Sequence, residues 1–209
     1  HNAGSLCVLD RVARPDFLPA QTGLLHDLAD VLMQVMEVRM LSRTDALTGL
    51  ASRRHFLEEL GREISRARRH GREISVEILD IDHFKQVNDG HGHGVGDTVL
   101  RMVAERMRKC LREQDMIGRL GGEEFGIIFP ETGGDRVLKV ARRLRAAVSG
   151  SPFDCGNRSL PLSVSIGLAT AEGPSCRAEM LVEHADAALY AAKESGRDCV
   201  RLASEDVNE

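Results

Sequence analysis

The chain has 209 residues, 42% of them hydrophobic, enough for one domain with a real core plus an appendage. A formal net charge of −4 with both signs interspersed argues against a general nucleic-acid binder, and 3% aromatic residues without tryptophan argue against base-stacking platforms. No apolar run approaches the ~20 residues needed to span a bilayer, and the N-terminus lacks a signal-peptide pattern, so a cytoplasmic segment without a membrane part is expected.

Residues 1–10, HNAGSLCVLD, read as a strand-like run ending at Asp10, and RVARPDFLPAQ follows as a loop. From Gln21 the pattern is helical: Leu24, Leu28, Val31, Val35 and Val38 recur at 4-3-4-3 spacing, with Leu25, Leu32 and Met36 widening the stripe. That spacing suits a short parallel coiled coil, with a helix packed within the chain as the alternative. After SRTDALTGLASRR the chain alternates between the two periods. Helices are expected over 53–69, 95–111, 135–149 and 178–194, and strands over 74–80, 116–120, 124–129, 160–170 and 199–202. Strands alternating with amphipathic helices make an α/β sandwich. Gly121-Gly122 reads as the turn of a hairpin that projects Glu123 at the sheet's rim. The five cysteines are scattered, with no C-x-x-C pair, and read as reduced packing residues.

The stretch RLGGEEFGII sets two glutamates side by side at the mouth of an apolar strand, which is costly unless a cation is near. ILDIDHFKQVND supplies Asp80 and Asp82 at the carboxyl end of another strand, where α/β sheets bind ligands. Asp80, Asp82, Glu123 and Glu124 offer hard oxygens, which select magnesium or manganese over zinc, and magnesium favours a few carboxylates plus substrate phosphates. A divalent ion carrying a triphosphate is the reading; solvated loop acids are the alternative. DHFK can start a helical turn whose amides face a phosphate beside Lys85. Lys193 and Arg197, at i and i+4, fall on one helical face within reach of a phosphate tail. In NDGHGHGVGD, Asn88 and Asp97 can read guanine, the carboxylate accepting from N1–H and the 2-amino group. An acceptor left unpaired costs about 1–3 kcal/mol, roughly ten- to a hundredfold in selectivity. His93 reads as a loop-fixing or substrate-adjacent residue rather than a metal ligand.

Together DALTGLASRRHF (45–56), DIDHFKQVND (80–89), GHGVGD (92–97), RLGGEEF (119–125), LSVSIGLA (162–169) and ADAALYAAKESGR (185–197) resemble the GGDEF family of diguanylate cyclases, in family order. The N-terminal GSLCVLD with its following helix looks like the end of a GAF sensory domain. The resemblance implies a tail of that sensory domain over 1–20, a coiled-coil linker over 21–43 and a cyclase domain over 44–205. It implies an α/β fold with a central mixed, mainly antiparallel sheet flanked by helices. It also implies condensation of two GTP into cyclic di-GMP with release of two pyrophosphates, in a homodimer whose facing domains each hold one GTP. Carried over to this chain, Asp80, the Ile81 carbonyl, Glu123 and Glu124 would hold Mg2+ or Mn2+, two ions per active site, with Glu123 and Glu124 catalytic. Phe84, Lys85, Asn88, His93, Asp97, Lys193 and Arg197 would bind substrate. Arg112 and Asp115 match the family's R-x-x-D site, where product binds and inhibits, with a second arginine expected between 142 and 145.

Several positions depart from the family pattern. Ser52 stands for an asparagine, His91 for an aromatic and Asp198 for an asparagine, and Glu77 is polar in a strand expected to be apolar. Readings from other classes are an inactive module that receives cyclic di-GMP or GTP, and a dimerising scaffold. A cyclase using adenine nucleotides is disfavoured by the carboxylate at Asp97.

Overall fold

The computed structural model describes residues 19–41, 43–156, 158–172 and 177–203. The strand expected over 1–10 lies outside the described residues, as does the sensory-domain tail expected over 1–20 except for Pro19 and Ala20, which open a helix. The chain divides into two units, His1–Ser42 and Arg43–Glu209. In the first, α1 (Pro19–Leu41) is a single helix, and Leu24, Leu28, Val31, Leu32, Met33 and Val35 along it are all exposed. The side chains of Met36 and Val38 lie outside the described residues.

The second unit begins with β1 (Ala51–Ser52) and α2 (Arg53–His70). Ser52 caps α2 by accepting from the His55 N–H, so serine serves at that position, and Gly71 ends the helix in the left-handed region. Then come β2 (Glu73–Ile81), α3 (Phe84–His91), α4 (His93–Arg108), β3 (Met116–Gly121) and β4 (Glu124–Pro130). The chain continues through α5 (Gly134–Ser149), β5 (Phe153–Asp154), β6 (Ser159–Leu160), β7 (Val164–Glu172), α6 (Ala178–Glu194) and β8 (Val200–Leu202). The six-stranded sheet has the order β1-β3-β4-β2-β7-β8. β2 is antiparallel to both β4 and β7, β3 to β4, and only the short edge strands β1 and β8 pair in parallel. The mixed, mainly antiparallel α/β sheet expected from the sequence is therefore present.

Alternation along β2 assigns the two faces. Ile74, Val76 and Ile78 pack with Phe56, Leu60 and Ile64 of α2 and with Leu181, Ala185 and Leu189 of α6. Leu79 and Ile81 pack on the other side with Val99, Val103 and Met107 of α4 and Val137, Ala141 and Leu144 of α5. Gly167 in β7 lets α6 lie directly on the sheet, since a Cβ there would stand 2.1 Å from the Ala185 carbonyl oxygen.

Two elements depart most from the sequence expectation. The helix expected over 95–111 begins at His93 and ends at Arg108, and a separate eight-residue α3 precedes it with only Gly92 between. The glycine density of 90–96 hides the end of α3 and the first turn of α4 from a propensity reading. The strand expected over 160–170 starts at Val164, and Ser159–Leu160 pairs instead with β5 in a two-stranded ribbon. Pro161, lacking an N–H, separates the two pieces.

Glu77 sits in the middle of β2, opposite Ile127 and Leu168, on the α4/α5 face. It is wholly buried, and neither carboxyl oxygen has a hydrogen-bond partner. Burial pushes its pKa from 4.5 up to about 8, so the carboxyl is neutral inside the fold at neutral pH. Between those two values the folded chain binds a proton that the unfolded chain does not. Its contribution to stability is thus complete below pH 4.5 and is lost as pH rises towards 8. In urea denaturation at pH 5, 6.5 and 8, Glu77→Gln should flatten the part of the stability decline that wild type shows, at most ~1.4 kcal/mol per pH unit. Glu77→Leu should stabilise by about 1–3 kcal/mol, by removing an unsatisfied buried group. Parallel wild-type and Glu77→Gln profiles would refute the assignment.

Candidate active site

Asp80, the penultimate residue of β2, is paired in register with Glu124 of β4 on one side and Ser165 of β7 on the other. By the alternation above, its side chain shares the α2/α6 face with that of Glu124. Asp80 is 7% exposed, and the Lys193 ammonium from α6 lies 2.9 Å from its Oδ2. Burial raises the Asp80 pKa, the bond and charge of Lys193 oppose that, and the charges of Glu123 and Glu124 add to it. The two glutamates and Asp80 therefore meet at one rim, as the sequence reading requires.

Asp186 joins them, and the sequence reading missed it. Partial burial and the charge of Glu124 raise its pKa, while Arg53 and Lys193 lower it. The available signal was spacing: Asp186 precedes Lys193 by two helical turns and so shares its face.

Asp82 does not join these acids, contrary to the expectation. It is 3% exposed, its Oδ2 accepts from Ser163 Oγ (2.6 Å) and the Asp198 N–H (3.1 Å), and its Oδ1 accepts from Ser165 Oγ (2.7 Å). Three donors satisfy it as a fastener between the end of β2, β7 and the turn after α6. That turn carries Arg197, which lies beyond α6 in the left-handed region (φ 64°) rather than on a helical face with Lys193. It still folds back, with Nη1 3.5 Å from the Lys193 carbonyl oxygen.

The loop after β2 turns through His83 at φ 58° into α3. Phe84 is buried in the core, so what it presents outward is its backbone N–H, which, like that of Lys85, falls in the first turn where helices leave donors unpaired. Lys85 is exposed. Asn88 of α3 and Asp97 of α4 are both half-buried, and Asn88 lies where α3 crosses the start of α4 beside Gly96, the residue before Asp97. The crossing needs Gly96: a Cβ there would lie 2.0 Å from Asn88 Oδ1 and 3.1 Å from Phe84 Cζ. His93 is exposed at the first position of α4.

The diglycine turn is held by Arg119, another residue without a role in the sequence reading. Its Nε and Nη2 donate to the Gly122 carbonyl at 3.0 and 2.7 Å, and its Nη1 reaches both carboxylate oxygens of Asp45 at 3.3 Å. Burial alone would raise the Asp45 pKa, but bonds from Thr48 and the charge of Arg119 hold it below the ordinary value. Arg119 thus ties DALTGL to the residue just before Glu123.

Arg112 and Asp115 close a turn of their own: the Arg112 N–H donates to Asp115 Oδ2 (2.9 Å) and the Asp115 N–H to the Arg112 carbonyl (3.1 Å). This turn lies at the opposite end of β3 from Glu123, about 20 Å away along an extended strand. Arg143 of α5 donates to the Cys110 carbonyl at 2.7 Å, beside that turn, whereas Arg145 pairs with Asp198 at 2.8 Å.

Among the described residues, no three histidine, cysteine or acidic side chains are gathered closely enough to hold a metal without side-chain movement. The donor set nevertheless suits a hard divalent ion. It consists of carboxylate oxygens and a backbone carbonyl, and Asp80 already holds a cation, the Lys193 ammonium.

Residues 42–199 match the family described as diguanylate cyclase, GGDEF domain. Among curated proteins, diguanylate cyclase DgcP of Pseudomonas aeruginosa is 42% identical over 165 residues, 79% of this chain and 24% of its own length. The response regulator PleD of Caulobacter vibrioides is 42% identical over 162 residues, 77% of this chain and 36% of its own. The chain thus spans only about a quarter to a third of these relatives. Among solved structures, the GGDEF domain of DgcB from Caulobacter crescentus, crystallised with c-di-GMP, superposes with a TM-score of 0.74 at 38% identity, covering 78% of this chain and 94% of that one. The coiled coil and GGDEF domain of the same protein, also with c-di-GMP, superposes with a TM-score of 0.74 at 33% identity, covering 88% and 97%. With that match across residues 42–199, and with the six-stranded sheet and flanking helices in place, the chain belongs to the GGDEF-domain family of diguanylate cyclases.

Proposed function

We propose that this chain condenses two GTP into cyclic di-GMP, releasing two pyrophosphates. The observation that carries the reading is the Lys193–Asp80 pair, 2.9 Å long, in a bay shared with Glu123 and Glu124: a cation-hungry rim with a phosphate-binding cation already at hand. Asp97 and Asn88 read the guanine. The N–H groups opening α3, with Lys85, Lys193 and Arg197, hold the β- and γ-phosphates. Asp80, the Ile81 carbonyl, Glu123 and Glu124 would hold one or two magnesium or manganese ions. When bound, such ions stabilise charge developing on the α-phosphoryl oxygens and ease deprotonation of the attacking hydroxyl.

The 3′-oxygen of one GTP forms a bond to the α-phosphorus of the other, the bond to the β-phosphate oxygen breaks, and pyrophosphate leaves. The hydroxyl proton passes to a neighbouring base, for which Glu123 is this chain's candidate. Repeating the step with the roles exchanged closes the ring. Each domain binds one nucleotide, so two domains must face each other. The exposed Leu24, Leu28, Val31, Leu32 and Val35 of α1 supply an apolar seam for pairing two copies. The relative whose structure contains a coiled coil before its GGDEF domain was crystallised with c-di-GMP, which supports both product and arrangement. Arg112 and Asp115 form the inhibitory product site. Arg143 is the second arginine, because it borders their turn while Arg145 is engaged by Asp198.

Purified chain given Mg2+ and GTP should yield cyclic di-GMP at a rate per molecule that rises with protein concentration. Tight product binding without turnover would support a receptor instead, and neither would support a scaffold. Glu123→Gln should lower turnover by at least ~100-fold; near-normal turnover would overturn the metal assignment. Arg112→Ala, and likewise Arg143→Ala, should relieve inhibition by added cyclic di-GMP while leaving initial rates similar, and an unchanged inhibition curve would remove that site.

A further inference from the structure

Resting on that reading, Asp80 must give its oxygens to a divalent ion and Lys193 must give its ammonium to a phosphate. Yet the two hold each other, Nζ to Oδ2 at 2.9 Å, with side chains only 31% and 10% exposed. An ammonium and a divalent cation cannot share one carboxylate oxygen at bonding distance without strong repulsion in so poorly solvated a place. We propose that Lys193 is the built-in counter-ion of the metal site, and that it trades Asp80 for the triphosphate only as metal enters, so that metal and nucleotide load as one unit.

A divalent ion arriving alone has to break the pair and leaves the ammonium beside a doubly positive neighbour. A triphosphate arriving alone meets an occupied lysine and the field of Asp80, Glu123 and Glu124. When the two arrive together, every charge exchanges one partner of opposite sign for another. The exchange needs only the lysine side chain to move. The α6 backbone is seated on β7 at Gly167, and the turn that follows it is fastened by the Asp198 N–H to Asp82. Asp186, whose carboxyl already senses Lys193, lies on the same helical face and offers a way station.

The test is binding of Mn2+ alone, with no nucleotide, read from the paramagnetic resonance signal of the free ion. Lys193→Met should bind Mn2+ about tenfold or more tightly than wild type, within the usual range of coupling between sites. Lys193→Gln should do the same, so the outcome does not hang on one variant's folding. Equal or weaker Mn2+ binding by both variants overturns the exchange. Adding Asp80→Asn to Lys193→Met should abolish the gain. If that double variant still binds Mn2+ as tightly as Lys193→Met, the metal does not sit on Asp80; the assignment under the proposed function then fails, and the exchange falls with it.

Discussion

Charge balance at the shared end of β2 and β4 is the constraint on which the rest of this domain turns. Asp80 is nearly buried, its register partner is Glu124, and Glu123 follows the diglycine turn. Three carboxylates so placed destabilise one another unless a cation answers them, and within the chain the answer is the Lys193 ammonium. That demand for positive charge sets this strand end apart from an ordinary one and is what the proposed metal and phosphate binding builds on.

The sheet order explains how the acids come together although the motifs are far apart in sequence. β2 is the hub, with β4 antiparallel on one side and β7 on the other, so the ends of two different loops open onto the same rim. α6 reaches that rim because β7 accepts its backbone at Gly167. Two fasteners fix the loops themselves. Asp82, which the sequence offered as a ligand, spends its oxygens on Ser163, Ser165 and Asp198, holding the turn after α6. Arg119 holds the acidic turn.

Much of this was legible beforehand. Periodicity located the long helices and the strands, because α2, α5 and α6 present unbroken apolar faces and β2 and β4 are dense in β-branched and aromatic residues. That Asp80, Glu123 and Glu124 share one rim was legible because acids at the ends of apolar strands admit few uses, whereas the roles assigned to Asn88 and Asp97 remain proposals. What stayed hidden depends on three-dimensional partners. No local pattern says that Asp82 will be met by two serines and a backbone N–H, or that Arg119 will bridge two loops. Nor does one show that Arg197 leaves the helix for a left-handed turn, or that α3 forms across a glycine-rich stretch. Glu77 illustrates the limit in the other direction: the sequence shows its oddity, but only the fold shows both oxygens without a partner.

The guanidinium of Arg119 grips Gly122 with one edge and Asp45 with the other. Asp45 stands three residues past the boundary between the two units of the chain. The DALTGL segment and the diglycine loop before Glu123 are therefore pinned to a single planar group, and a displacement of one is felt by the other without any rearrangement of the strands that carry them.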